Sequence, residues 1–145
     1  GRRLFRLTMV GCVLRSIGVP TGKVLNSKRP WSRLPPPGAP RAAAYAELHN
    51  SGQQDVIITG IESPEFSFAA WHTMQYSEGR AAMRHLDSIV LKPDEHYAVA
   101  PGGTHIMLGG SSSPLEDGMF VELVIKCAAD AKLPAWFQVK RHAAP

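Results

Sequence analysis

The chain reads as an all-β protein, an antiparallel Greek-key sandwich or barrel of short strands. Three observations carry that expectation. Short apolar stretches recur at intervals of roughly 8–14 residues, with Gly, Pro, Asn and Ser between them. No helical period of 3.6 persists anywhere, and Leu115-Glu116-Asp117-Gly118 makes at most one turn. The 145 residues include 13 Gly and 12 Pro, rich in turns but short of low complexity. With 44% apolar and 19% charged residues, the chain has enough apolar material for the core of a single domain.

The elements follow in order. Lys28-Arg29-Pro30-Trp31-Ser32-Arg33-Leu34-Pro35-Pro36-Pro37-Gly38 is extended, because its prolines cannot continue a helix. Residues 42–48 form a strand that leads into the turn Asn50-Ser51-Gly52. Residues 56–61 are rich in β-branched side chains and form the next strand. Residues 66–76 alternate loosely before the turn Ser77-Glu78-Gly79. Residues 83–91, 97–99, 105–108, 120–126 and 136–140 complete a set of roughly eight strands. There is no internal repeat.

The net charge is +4 and the isoelectric point near 9.3, which at first suggests a nucleic-acid binder. The distribution argues otherwise. Residues 1–44 hold nine basic side chains and no acidic one, whereas residues 45–145 hold seven basic and twelve acidic, a net of −5. This reads as a basic arm on an acidic body, and an acidic body repels phosphate. The expected division is an N-terminal extension or signal remnant at 1–23 and one domain at 24–145. Gly1-Arg2-Arg3-Leu4-Phe5 and the apolar run after it resemble a worn export signal, interrupted by Arg15. That start favours the cell envelope, with tethering through the N-terminal segment as one form. No apolar stretch approaches the roughly 20 residues of a membrane-spanning helix. Cys12 and Cys127 have no metal-type spacing; they either pair in an oxidising compartment or are buried separately. Cys12 as a lipid-attachment cysteine is disfavoured by the short run before it.

The chemistry lies in four side chains. A two-residue loop at Ser77-Glu78 sets His72 directly opposite Met83, with Cβ atoms about 5 Å apart; moving the loop by one residue leaves them diagonal and still in reach. His105 and Met107, two apart on a strand, point to one face. Two imidazoles and two thioethers can therefore converge. Thioethers are soft and neutral and select Cu(I), whereas zinc favours thiolate, imidazole and carboxylate, and calcium and magnesium need oxygen.

The spacing His72-x10-Met83-x21-His105-x-Met107 resembles the copper-binding motif of the periplasmic PCu(A)C-type copper chaperones. The flanks agree: Pro30-Trp31-Ser32-Arg33, Ala43-Ala44-Tyr45, Leu48-His49-Asn50 and Pro101-Gly102-Gly103-Thr104. The resemblance covers about residues 24–140. It implies a cupredoxin-like sandwich and a non-enzymatic Cu(I) carrier of the periplasm. It also implies delivery towards cytochrome c oxidase assembly, to an oxidase subunit or a thiol-bearing copper chaperone. Two positions depart from the family: His85 stands where Pro is usual, and Met74 adds a thioether. Both are candidate auxiliary ligands or surface residues, and Trp71 is a candidate shield beside His72. His49 and His96 are read as structural or exposed.

Other functions fit less well. A copper storage or resistance protein of the envelope shares the same donors. An electron-transfer cupredoxin needs a Cys ligand, and Cys127 has no His or Met close behind it. No nucleophile–base signature such as G-x-S-x-G is present, and Pro101-Gly102-Gly103-Thr104 lacks the following Lys and helix of a phosphate loop. The expected state is a monomer without nucleic acid.

Overall fold

A computed structural model describes residues 25–36 and 38–141. Among the described residues ten strands form in chain order: β1 (Leu25–Arg33), β2 (Arg41–Asn50), β3 (Val56–Glu62), β4 (Phe66–Ser77), β5 (Arg80–His85), β6 (Ile89–Leu91), β7 (His96–Val99), β8 (His105–Ser111), β9 (Phe120–Cys127) and β10 (Lys132–Lys140). A 3-10 turn at Ala128–Asp130 separates β9 from β10. The all-β expectation holds.

The strands hydrogen-bond in the order β5-β4-β8-β2-β1-β10-β9-β3-β6, with β7 also pairing with β2. β5 and β6 end this path, so the sheet folds over on itself as a sandwich and does not close as a barrel. All pairings are antiparallel except β1 with β10. β1 bridges the two halves, meeting β2 on one side and β10 on the other.

Period-two alternation explains the packing. Along β2, Ala42, Ala44, Ala46, Leu48 and Asn50 are buried, while of the odd positions Arg41 and Glu47 are exposed, Ala43 and His49 are partly covered, and Tyr45 is buried on the outer face. The inward sides of both halves meet in one core that includes Leu48, Ile58, Leu91, Ile106, Leu108, Leu123, Ile125 and Phe137. Trp71 reaches across it, its Nε1–H donating to the Gly60 carbonyl at 3.0 Å.

Three expectations need correction. Residues 83–91 are not one strand. The chain bends after His85, where the Leu86 N–H donates to the Trp71 carbonyl at 2.9 Å, and β5 and β6 finish at opposite ends of the strand order. The described part of the basic arm, from residue 25 on, is not separate from the body either. Lys28, Arg29 and Arg33 lie in β1 and Arg41 in β2, and Arg29 pairs with Glu47 at 2.8 Å. Residues 25–141 therefore carry eleven basic and twelve acidic side chains, a net of −1 rather than −5. Trp71 belongs to the core and does not shield His72, because neighbours along a strand point to opposite faces. The signal-like start and Cys12 lie outside the described residues. Cys127 is buried in β9 and disulfide-bonded.

Candidate metal centre

The candidate donors lie on the outer face of β4, β5 and β8. The β4–β5 hairpin turns at Glu78 and Gly79, whose φ values of 50° and 75° make a two-residue turn of the primed class. Ser77 pairs with Arg80, so the loop sits one residue later than the turn residues suggest. Met83 therefore opposes Met74, and His72 opposes His85. His72 and Met83 are diagonal neighbours, and the contact survives the shift: His72 Nδ1 lies 2.9 Å from Met83 Sδ. Glycine at the second loop position was the signal for this register, since positive φ there suits Gly.

On the other side, β4 pairs with β8 and sets His72 opposite His105 and Ala70 opposite Met107. The His72 and His105 rings are 6.0 Å apart, edge to face. Period two then brings His72, Met83, His105 and Met107 onto one face, together with Met74 and His85. The His85 ring is 5.7 Å from His72, and its Nε2 lies 3.4 Å from Asp87.

His105 is aimed by its own loop. Its Nδ1–H donates to the Gly103 carbonyl at 2.9 Å, which fixes the tautomer and leaves the lone pair on Nε2. The Tyr76 hydroxyl donates to the Gly102 carbonyl at 2.8 Å, tying the tip of the β4–β5 hairpin to that loop. Tyr97 and Thr104 hydroxyls meet at 2.7 Å, and Thr104 donates on to Thr73. The Pro101-Gly102-Gly103-Thr104 segment is thus a bracket for a histidine.

Exposure grades across the donors. His105 is only 6% exposed, His72 and Met107 are half-buried, and Met83 is 49% exposed on a strand with every residue exposed. Burial, followed by the nearby charges of His105, His85 and Arg41, holds His72 below the ordinary imidazole value of 6.5. Its imidazole therefore stays neutral further into the acid range than a free one.

Two neighbours escaped the sequence reading. Phe68 stands edge-on to His72 at 6.5 Å, and Arg41 stacks over Phe68 at 4.5 Å. Phe68 was reachable by counting two strand steps back from His72. Arg41 arrives only through the β2–β8 ladder.

Comparison with known proteins adds the following. The family described as "Putative lipoprotein LpqE-like" matches residues 25–139. The protein described as "Putative lipoprotein Lxx21020", from Leifsonia xyli subsp. xyli (strain CTCB07), is 29% identical over 104 residues. That alignment covers 71% of this chain and 63% of the relative, so the chain spans less than two thirds of its length. Two solved structures share the fold at 24% identity. A copper-bound PCuAC domain from PmoF2 has a TM-score of 0.68, with 82% of this chain and 94% of that one covered. The Cu(I) form of DR1885 from Deinococcus radiodurans has a TM-score of 0.64, with 83% and 82% covered.

Proposed function

The chain belongs to the LpqE-like family, and on that premise we propose that it is a Cu(I) carrier of the bacterial cell envelope, not an enzyme. The single observation that carries this reading is the meeting of His72, Met83, His105 and Met107 on one outer face, with His72 Nδ1 and Met83 Sδ 2.9 Å apart. Two imidazoles and two neutral thioethers suit Cu(I), and the set contains no thiolate to oxidise. The fold shared with copper-bound PCuAC domains and the lipoprotein description of the family support the metal and the compartment respectively.

Copper is cargo here, so the site has to release it. The gradient in exposure suits that need. His105, buried and hydrogen-bonded, is the fixed anchor; Met83, on the exposed edge strand, is the ligand an incoming thiolate or imidazole displaces first. Delivery towards a cytochrome c oxidase copper centre, through an oxidase subunit or a thiol-bearing chaperone, is the acceptor route we favour over storage. Electron transfer loses further ground, because Cys127 is disulfide-bonded and offers no thiolate.

Cu(I) titration against a competing chelator tests the proposal. One equivalent should bind. His105→Ala should weaken binding by at least ~10-fold, the lower end of what even a lost outer-shell partner costs a metal site. Met83→Leu should speed transfer to a thiol acceptor. Unchanged affinity in a His105→Ala, Met107→Ala double variant would falsify the assignment.

A further inference from the structure

A second group of ligating side chains lies well away from these donors. His49 of β2 and His96 of β7 pair directly across the ladder, and their rings stack at 4.0 Å and 6° from parallel. Asp94, two residues before His96, has its Oδ1 2.9 Å from His49 Nε2. The backbone fixes this placement: the Asp94 N–H donates to the Asn50 carbonyl at 2.7 Å, and the Asn50 N–H donates to the Glu95 carbonyl at 3.0 Å. One ligand atom from each of His49, Asp94 and His96 lies within 4.8 Å of the other two.

We propose that His49, Asp94 and His96 form a second metal site, for a divalent ion of the Zn(II) or Cu(II) class. Two imidazoles and a carboxylate are borderline donors that suit these ions, and without sulfur they hold Cu(I) poorly. Bonds of about 2.0–2.1 Å in a tetrahedral site put ligand atoms about 3.4 Å apart. The side chains of Asp94 and His96 are exposed and free to close the difference. Binding would displace the hydrogen shared by His49 Nε2 and Asp94 Oδ1 and free both atoms as donors. An ion pair accounts for His49 and Asp94, and the direct cross-strand register sets the His96 ring against His49, so the backbone alone holds all three side chains in one place. Glu47, two residues before His49 on the same face, adds negative charge that Arg29 partly offsets.

The two sites share one face of one sheet. Met107 faces Ala43 of β2, and His49 lies six positions further along that strand, about 20 Å away at ~3.3 Å per residue. The second site does not depend on the Cu(I) reading, and the two can fail separately.

The test adds Zn(II) alone, and in a parallel run Cu(II) alone, to the protein while its histidine side chains are followed by NMR. Zn(II) should shift His49 and His96 together and saturate at one equivalent, and Cu(II) should broaden the same two first. His96→Gln and Asp94→Asn, at exposed positions, should each weaken binding at least ~10-fold. The backbone amide spectra of these variants report that they remain folded. Met83→Leu combined with Met107→Leu should leave this binding unchanged. Equal affinity in wild type and His96→Gln overturns the proposal, as does a response confined to His72 and His105 or no response at His49 and His96.

Discussion

Ser32 shows how one side chain can work against its surroundings. It is fully buried between β2 and β10, and its hydroxyl finds no hydrogen-bond partner among the described residues. A buried polar group without a partner costs about 1–3 kcal/mol, so Ser32→Ala should leave the domain unchanged or more stable by up to ~1 kcal/mol. Urea unfolding measures this, and a clear loss of stability would contradict it. Asn50 is the opposite case. Equally buried, it donates to the Gln54 and Leu91 carbonyls and accepts from the Gly52 N–H. The local turn Asn50-Ser51-Gly52 was legible in sequence, because Asn folds back on its own backbone there. Its bond to Leu91, 41 positions away, was not.

At the scale of elements, the β4–β5 hairpin decides whether the donors meet. Gly79 has φ of 75° and open space around the position of a Cβ, so a side chain there is strained by its backbone alone. Gly79→Val should cost ~1 kcal/mol or more of stability. It should also weaken Cu(I) binding more than Gly103→Ala, since β5 carries Met83. Chelator competition on the two variants checks the order, and equal losses would detach Met83 from the site. The hairpin also shows the limit of sequence reading. Residue spacing predicted that His72 and Met83 approach each other, but a shift of the loop by one residue exchanged direct opposition for a diagonal. The contact tolerated this because a methionine side chain is long and unbranched. Trp71 tolerated nothing: one step along a strand reverses the face, and it went to the core.

For the whole molecule, the prediction concerns acid. His72 is held below 6.5 in the fold, so the unfolded chain takes up that proton first. Its contribution to stability is complete above the ordinary imidazole value and declines as pH falls through about 6.5 towards the folded value. Glu47 and Glu62 act lower down. Arg29 holds Glu47, and Lys132 holds Glu62, below the ordinary 4.5 by hydrogen bonding. Their contribution is present above 4.5 and lost as pH falls through the folded values; both groups are exposed, so it is small. The urea midpoint should therefore fall in two stages, one beginning near neutrality and a weaker one below pH 4.5. Replacing His72 with Gln should remove the first stage only. A single-stage profile in the wild type would count against the assignment.

By itself the sequence determined the all-β class, the punctuation of most strands and the donor types, because alternation and turn chemistry are local properties of the chain. It also predicted that His105 and Met107 share a face, which needs only a period of two. Tertiary structure alone decided which strands are neighbours. That choice set His72 opposite His105, brought Arg41 to the edge of the site and joined β1 to the body, reducing the acidic body to near neutrality. It also brought Asp94 to His49 and His96, two residues that read as structural or exposed in the sequence. Strand order is fixed by how both halves of the sheet bury their apolar faces at once, a condition on the whole chain that no local window contains.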